Sequence, residues 1–546
     1  MTRRNAAVQC AVVIAVAIAV AFLPLRAGNA VLGDVALALL VAGPAAGASL
    51  AVASGRPTLG MSALASGGGY VAALLAVHGH EAPLDVGLGT LTGAVEGAVL
   101  ALLGARLGAA GFIALGLVAA TASAALVGAL PRILGADAGL GPVAPLGVTL
   151  PDGRIASLTI AGSLHAADAV AAFVTLIAIV AVATGRGARW RAVGGDRERA
   201  AATGVMPLLA EVEVLALAGA IAGFCGAVAA HIAGIMTTSG FGPEAASVPL
   251  AAALIAGRAG PGMAAALAVL EGVGVTVILP RMGWVGPPSA SALGAAALAA
   301  VAIALLAAPA VAATRRAPGR AAGAPSTWPS LAPAVVSGLT VDSLDVRPPG
   351  GGPVIVPGLR LEVGAGEVIG LVGANGSGKS SALRAIARAA GGDRRVKLEP
   401  RARTMLLPQE RGGFPGCSVG ETLVLAARSG GRDRRAARKA AVDWLEPLGV
   451  APLRDVACDL LAAGARRRVD LARVLLSRPS VILCDEPLAG LETADREAVL
   501  DILRAAAAAG AAVVLCDHDR DAVAATATAG VVELGRVEAA PGPAAA

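Results

Sequence analysis

The sequence is short of charged and aromatic residues. Of its 546 residues, 15% are charged and 2% are aromatic, and residues 1–313 contain no lysine. The mean hydropathy of +0.74 excludes a fully soluble protein, because so apolar a chain has too little polar surface to face water. The chain is also longer than a domain with a single hydrophobic core usually is. We therefore predict at least two domains, with the first in a membrane.

The cysteine spacing and the source of the positive charge exclude two further classes. None of the six cysteines shows C-x-x-C or other metal-ligand spacing. We therefore predict neither a cysteine metal site nor a disulfide framework, and we expect a reduced, cytoplasmic second domain. The net charge of +6 comes mostly from arginines between apolar segments. Membrane topology accounts for arginines at such places, so no nucleic-acid partner is predicted.

Apolar segments recur through the first 313 residues and predict about ten spans of a lipid bilayer. They cover residues 8–23, 33–54, 61–77, 87–104, 109–129, 168–184, 209–232, 246–257, 262–280 and 289–313. The first fits either a signal peptide or a retained span; we expect a span, because further spans follow at once. Residues 246–257 are short for a full crossing. The proline-rich residues 131–167 are expected to form a loop or short hairpin.

The placement of arginines predicts the orientation of these spans. With a cytoplasmic N-terminus and ten crossings, cytoplasmic segments hold thirteen arginines, whereas the opposite segments hold Arg26, Arg132, Arg154 and Arg281. This positive-inside bias places the second domain on the cytoplasmic side of the inner membrane. Acidic residues in or near spans are candidates for a polar pathway or for ion pairs within the bundle, because buried charge is costly. They are Glu96, Glu211, Glu213 and Glu271.

Changes in composition mark the predicted domain boundaries. Residues 1–313 form the membrane domain, residues 314–337 form a linker rich in Pro, Ala, Gly and Ser, and residues 338–540 have the mixed charge of a soluble α/β domain. Residues 541–546 are expected to be disordered. The cytoplasmic segment 186–206 is either a solvated loop or a segment that docks onto the soluble domain. We expect docking, because no other cytoplasmic segment is as long.

A glycine-rich turn joins a strand pattern to a helix pattern at residues 373–381. The sequence GANGSGKSS follows the apolar run 368–372 and precedes the helix-compatible run 382–390. In this setting G-x-x-x-x-G-K-[ST] is a P-loop, whose backbone amides wrap a polyphosphate. Lys379 then reaches the β- and γ-phosphates, and the Ser380 hydroxyl binds magnesium. The predicted nucleotide-binding residues of the loop are Gly373, Ala374, Asn375, Gly376, Ser377, Gly378, Lys379, Ser380 and Ser381.

An acidic pair follows another buried-strand pattern. Residues 480–484 are largely apolar and end in Asp485 and Glu486. Such a pair at the carboxyl end of a parallel strand fits phosphoryl chemistry, with Asp485 holding magnesium and Glu486 polarising the attacking water. Two more strand patterns end just before Gln409 and His518. Each of these two residues alone is more often an ordinary loop side chain, so the order of the motifs has to decide their meaning.

The order of these motifs resembles the nucleotide-binding domain of ABC transporters. Walker A at residues 373–380 is followed by Gln409, by Asp485 with Glu486, and by His518. The resemblance implies an α/β P-loop ATPase domain that uses ATP and Mg²⁺ and forms a sandwich of two such domains around two ATP molecules. It implies that Gln409 senses magnesium and the membrane domain, and that His518 contacts the γ-phosphate. The expected catalytic residues are Glu486, His518 and Lys379, and the expected magnesium ligands are Ser380, Gln409 and Asp485.

Residues 461–476 resemble the signature segment and following helix of that family, within a likeness that covers about residues 338–540. The residues expected to contact a partner's ATP are Leu461, Ala462, Ala463, Gly464 and Ala465. The family usually has a serine at Ala462, and losing its hydrogen bond to phosphate weakens the site by roughly 1.5–3 kcal/mol. Residues 346–349 lack the usual base-stacking aromatic, and Glu492 replaces the usual aspartate. We therefore expect a heterodimeric ATPase with one good and one degenerate site.

The first domain resembles branched-chain amino acid import permeases. The similar segments are residues 54–77, 105–121, 191–205, 215–228 and 254–267. Together the resemblances imply a fused permease and ATPase that imports a branched-chain amino acid or similar small polar solute. The implied partners are a second permease, a second ATPase, an extracytoplasmic solute-binding protein and membrane lipid. The alternatives are an exporter half-transporter, which usually has six long spans, and a regulatory membrane protein that binds ATP with little hydrolysis.

Overall fold

The computed structural model divides into two compact units. The helical unit comprises residues 1–201 and 205–311, and the α/β unit contains residues 312–546. Residues 314–328 of the predicted linker and the predicted tail 541–546 lie outside the described residues, so these limits stay predictions. Apart from isolated positions, the structure describes residues 3–22, 28–135, 138–149, 155–202, 205–237, 243–283, 331–348, 352–374, 376–390, 392–409 and 416–534.

The helical unit consists mainly of apolar helices. In chain order these are α1 (Arg3–Ala21), α2 (Asn29–Leu39), α3 (Ala42–Ala53), α4 (Met61–Val77), α5 (Ala82–Leu103), α6 (Ala109–Ala129), α7 (Pro131–Leu134), α8 (Ile160–Ala183), α9 (Gly185–Gly195), α10 (Arg197–Ala202), α11 (Pro207–Ala233), α12 (Pro243–Ala256), α13 (Pro261–Leu270) and α14 (Leu279–Arg281). A 3₁₀ turn at Gly257–Ala259 precedes α13, and a π-helical stretch at Glu271–Ile278 follows it.

Within the described residues, six helical segments are long and apolar enough to cross a membrane. They are Asn29–Ala53, Ala82–Leu103, Ala109–Ala129, Ile160–Ala183, Pro207–Ala233 and Pro261–Arg281. The other predicted spans up to residue 257 also lie on helices, but they are shorter. The 17 residues of α4, for example, extend about 26 Å, less than the roughly 30 Å of a bilayer core. Residues 289–313 lie mostly outside the described residues, so the count of ten spans stays a prediction.

Glycines allow α5 and α11 to approach backbone to backbone. A Cβ atom on Gly93 would lie 2.2 Å from the carbonyl oxygen of Gly219, and one on Gly97 would lie 2.1 Å from that of Leu215. The four-residue spacing places the two α5 glycines on one helix face. Membrane helices gain their association from such close packing, since lipid offers no hydrophobic driving force. The α5–α11 contact therefore depends on residues that have no side chain.

Two of the four acidic candidates are ion-paired within the helical unit. Glu211 Oε2 lies 3.0 Å from Arg56 Nη2, and both side chains are buried. Glu213 Oε1 lies 3.2 Å from the more exposed Arg186 Nε. Because these carboxylates have structural partners, their ion-pair interpretation is favoured over a polar pathway. The remaining candidates are Glu96 and Glu271.

The two longest connecting segments of the helical unit contain regular structure. Residues 131–167 include α7 and an antiparallel hairpin of β1 (Gly147–Thr149) and β2 (Ile155–Ser157), in agreement with the expected hairpin. The segment 186–206, predicted to be cytoplasmic, contains most of α9 and all of α10 among its described residues. Its docking onto the α/β unit stays a prediction.

The α/β unit contains a five-stranded parallel sheet and a three-stranded antiparallel sheet. The strands are β3 (Leu339–Val346), β4 (Val356–Val363), β5 (Val368–Gly373), β6 (Val396–Lys397), β7 (Thr404–Leu407), β8 (Val481–Asp485), β9 (Ala512–Cys516) and β10 (Val531–Leu534). Their orders are β10-β5-β9-β8-β7 and β4-β3-β6. Alternate residues of β8 enter two different apolar clusters, Ile482 in one and Leu483 in the other. Burial on both faces explains why this strand is a continuous apolar run.

Helices pack around the parallel sheet of this unit. They are α15 (Lys379–Ala389), α16 (Val419–Ser429), α17 (Arg434–Leu445), α18 (Ala463–Leu476), α19 (Thr493–Ala508) and α20 (Arg520–Thr526), with 3₁₀ turns at Ala451–Leu453 and Cys458–Leu460. A capping box starts α16: the Ser418 hydroxyl accepts from the Glu421 amide, and the Glu421 carboxylate accepts from the Ser418 amide. Reciprocal bonds of this kind satisfy amides that a helix start leaves unpaired.

Candidate nucleotide-binding site

The predicted site residues follow the carboxyl ends of neighbouring parallel strands. β5 ends at Gly373, β8 ends at Asp485, and β9, which lies between them in the sheet, ends at Cys516. Open α/β sheets bind ligands at this edge, because the carboxyl ends of their strands meet there. The glycine-rich loop, the acidic pair and His518 therefore lie at the same edge of the sheet.

The glycine-rich loop curls around the side chain of its own lysine. Lys379 Nζ donates hydrogen bonds to the carbonyl oxygens of Gly373 and Ala374, at 2.8 and 2.9 Å. An ammonium group has three donors, so one N–H remains for a phosphate. Gly376 and Gly378 have φ angles of +79° and +90°, a region that glycine enters without steric cost. Asn375 lies outside the described residues.

Two side-chain oxygens meet at the start of α15 and the end of β8. Ser380 Oγ donates to Asp485 Oδ1 at 2.8 Å. Asp485 Oδ2 is buried and has no hydrogen-bond partner among the described residues. Buried polar atoms are normally satisfied, and magnesium prefers oxygen ligands such as these. Ser380 and Asp485 therefore fit a magnesium ion next to the phosphate loop.

Glu486 is held by both of the other motif residues. His518 Nε2 lies 2.7 Å from Oε1 of this carboxylate, and Gln409 Nε2 donates to its Oε2 at 2.5 Å. Gln409 thus contacts the expected base rather than the expected magnesium ligand Asp485. Glu486 also has a φ angle of +45°. Such a conformation costs on the order of 1–3 kcal/mol for a residue with a side chain and clusters at functional sites.

Arg467, which is not predicted as a site residue from the sequence, is buried against the backbone of the acidic pair Asp485–Glu486. Arg467, on α18, donates to the carbonyl oxygens of Pro408 at 2.6 Å and of Glu486 at 2.9 Å. Its burial lowers the pKa of the guanidinium. Burial of the Cys484 and Cys516 thiols raises the pKa of each of them to about 12. These thiols therefore stay protonated and serve as small apolar residues of the sheet.

The segment that resembles a family signature begins α18. Ala462 is the N-cap residue of this helix and makes no side-chain hydrogen bond to it. A Cβ atom on Gly464 would lie 2.1 Å from Asp495 Oδ2, so a side chain at this position would have to displace the Asp495 carboxylate. Leu461 is fully buried, whereas Ala463 is exposed. No hydrogen bond among the described residues joins these positions to the phosphate loop.

A cleft of about 480 Å³ lies between β3 and α15. Arg347 and Pro348 line it on one side, and Ser381 and Arg384 line it on the other. This is the position where the sequence lacks the expected aromatic residue. A base in the cleft would meet arginine and proline side chains instead, with Ser381 at the end nearest the phosphate loop.

Two family models match the two units of this chain. Residues 31–279 match the permease component of the branched-chain amino acid transport system, and residues 356–489 match the ABC transporter model. A solved ATP-binding subunit of an ABC transporter is similar at 21% identity, over 37% of this chain and 88% of that chain, with a TM-score of 0.33.

Individual relatives align with the α/β unit. The Nod factor export ATP-binding protein I of Bradyrhizobium diazoefficiens is 33% identical over 194 residues, which are 34% of this chain and 63% of that protein. The lipoprotein-releasing system ATP-binding protein LolD of Novosphingobium aromaticivorans is 32% identical over 182 residues, 30% of this chain and 81% of that protein. The chain thus spans less than two thirds of the first relative's length.

Proposed function

Because the chain belongs to the ABC transporter family and joins a permease domain to an ATPase domain that binds ATP, we propose that it hydrolyses ATP to import a small polar solute, such as a branched-chain amino acid. One observation supports hydrolysis above all. Lys379, the Ser380–Asp485 pair and the held carboxylate of Glu486 meet at one sheet edge. Import is supported by the permease model that matches the helical unit.

In this proposal each side chain has one task. Lys379 and the loop amides bind the β- and γ-phosphates. Ser380 and Asp485 hold magnesium, which neutralises phosphate charge when it is bound. Glu486 accepts a proton from the attacking water, with its two oxygens oriented by the side chains that contact them. The orientation matters because most of the catalytic gain in phosphoryl transfer comes from positioning and electrostatics.

The complete transporter would contain more than this chain. We infer a second permease, a second ATPase and an extracytoplasmic solute-binding protein, all at the cytoplasmic membrane, with the ATPase domain in the cytoplasm. Ala462 removes a hydroxyl from the signature, so the ATP site that uses this signature is the weaker of two. The partner ATPase would supply an intact signature to Lys379 and Glu486. Strong ATP turnover by this chain alone would contradict such a heterodimer.

Export is the second candidate, because the relatives of the ATPase domain include a protein named for Nod factor export and one named for lipoprotein release. Those names belong to proteins that align with the ATPase domain only. The six helical segments that are long enough to span a membrane within the described residues also agree with the usual six spans of an exporter half. The direction of transport therefore decides between the two candidates.

Reconstituted vesicles test the proposal. Proteoliposomes that contain this chain with its partner permease and ATPase enclose ATP, while the binding protein and radiolabelled leucine, isoleucine or valine are outside. We expect accumulation that requires enclosed ATP and is lost in Lys379→Ala. Outward movement of preloaded solute would favour export. Binding of ATP without hydrolysis or solute movement would favour a regulatory subunit, and either result overturns the proposal.

A further inference from the structure

The Arg467 side chain lies at the junction of the motifs that form the ATP site. It is 8% exposed, and its fork of donors binds four backbone carbonyls. Nη1 donates to Pro408 O at 2.6 Å and Nε donates to Pro487 O at 3.0 Å. Nη2 is shared between Asp485 O at 3.1 Å and Glu486 O at 2.9 Å. The four acceptors are the last residue of β8 and residues of the turns that follow β7 and β8.

These bonds fix backbone rather than side chains. Three consecutive carbonyls, of residues 485–487, turn toward one guanidinium, and this requires a sharp bend at the end of β8. Glu486, with its φ angle of +45°, makes that bend. The guanidinium is planar and rigid, and hydrogen bonds from a charged donor are stronger than neutral ones. Arg467 therefore stabilises a backbone conformation at Glu486 that a residue with a side chain disfavours.

The fourth carbonyl connects a second motif to the same group. Pro408 directly precedes Gln409, whose amide nitrogen donates to Glu486 Oε2 at 2.5 Å. The Arg467 guanidinium thus binds the backbone at Glu486 and next to Gln409, the two residues whose side chains contact each other. We propose that Arg467 is a positioning residue for ATP hydrolysis, which keeps Glu486 and Gln409 in register at the site. This inference rests on the proposed hydrolysis.

Two substitutions in the full-length chain, assembled with its partner subunits, test this role. Arg467→Lys keeps the charge but loses the planar fork, and Arg467→Gln keeps a polar group with fewer donors. We expect kcat to fall on the order of a hundredfold in Arg467→Gln, since small misplacement of a reacting group costs about this much. In Arg467→Lys the loss of kcat should be smaller. The affinity for ATP should be unchanged, because the phosphate loop does not contact Arg467 in any hydrogen bond among the described residues.

A second measurement reports the backbone directly. Amide hydrogen exchange of the peptide that covers residues 484–491 should be faster in both variants, whether or not the complex turns over. Arg473→Gln is the matched control: Arg473 is also a buried arginine of α18, but its guanidinium pairs with Asp470 at 2.7 Å. This control should lower the unfolding temperature while kcat per folded molecule is kept.

The outcomes separate the inference from the proposed function. Wild-type kcat in the folded fraction of both Arg467 variants would overturn the positioning role, as would unchanged exchange at residues 484–491. A wild-type complex that hydrolyses no ATP would overturn the proposed function instead. In that case the exchange experiment still decides whether Arg467 holds the turn.

Discussion

His518 Nε2 lies 2.7 Å from Glu486 Oε1. This contact holds one oxygen of the carboxylate, and the Gln409 amide holds the other. A carboxylate fixed at both oxygens can present its remaining lone pairs in only one direction, which suits a base that must meet one water molecule. The relationship joins residues from the turns after β7, β8 and β9, so it exists only in the folded sheet.

Replacing Glu486 by glutamine tests this base. The amide keeps the shape of the side chain but has little affinity for a proton, so kcat should fall by about 10²–10⁴-fold. ATP binding should persist, because Lys379 and its loop are unchanged. ATPase assays and equilibrium binding on the assembled complex measure both. Glu497→Gln, at an exposed position of α19, should retain wild-type turnover, and equal losses in the two variants would contradict the assignment.

Restoring a hydroxyl at Ala462 should improve the weak signature. A serine N-cap stabilises a helix by about 1 kcal/mol over alanine. A further bond from the hydroxyl to the γ-phosphate of the partner's ATP is worth about 1.5–3 kcal/mol, which corresponds to at least a tenfold gain in affinity. The apparent KM for ATP of the complex should fall accordingly in Ala462→Ser. Ala462→Val adds bulk without a hydroxyl and should give no gain; a matching gain there would refute the explanation.

The local motifs of the ATP site could be predicted from the sequence, and the contacts between them could not. The loop at residues 373–381 and the pair after β8 are each encoded within a few residues, because glycine spacing and an apolar strand suffice to specify them. Arg467 is one of three consecutive arginines, and its acceptors lie 18–20 and 59 residues away in sequence. Only the phase of α18 relative to the sheet decides which arginine reaches these carbonyls, since Arg468 is also buried but pairs with Asp495.

In the helical unit, too, the sequence predicts local structure but not the contacts between distant residues. The apolar runs predict helices, and the described runs are helical. Composition does not tell a full crossing from a shorter helix, because both are rich in Ala, Val, Leu and Gly. The partners of buried acids are also set by packing: Arg56 and Glu211 are 155 residues apart in the chain. Arginine placement predicts the side of the membrane on which each connecting segment lies, whereas the partners of an ion pair can be read only from the three-dimensional structure.

A pair of glycine substitutions on α5 tests the close contact with α11. Gly93→Ala would place a Cβ 2.2 Å from Gly219 O, and a backbone oxygen cannot move aside without shifting the helix. We expect a loss of about 1–3 kcal/mol, as for other overpacked sites. Gly87 on the same helix has nothing within 4 Å of an added Cβ, so Gly87→Ala should be neutral or stabilising. Thermal unfolding in detergent compares them, and equal behaviour would exclude the proposed contact.

The buried ion pair should be worth more than the exposed one in the same unit. Arg56 and Glu211 are 6% and 2% exposed, and Arg56 also donates to Leu107 O at 2.5 Å. Arg56→Ala leaves the Glu211 charge buried with one fewer partner, which costs about 3–5 kcal/mol in comparable pairs. Arg186 is 71% exposed beside Glu213, so Arg186→Ala should cost less than about 1 kcal/mol.

The unfolding temperatures of Arg56→Ala and Arg186→Ala in detergent measure the difference in stability between the two variants. They are compared at low salt and at high salt. Salt screens the exposed pair but hardly reaches the buried one. The Arg56→Ala loss should therefore persist in high salt, whereas any Arg186→Ala loss should vanish. Arg197 Nη2 lies 3.5 Å from Glu211 Oε2, so it is the group that can compensate. If Arg56→Ala is harmless, and Arg56→Ala combined with Arg197→Ala is not, then Arg197 replaces Arg56 as the partner of Glu211, and the prediction that loss of Arg56 alone is costly is wrong.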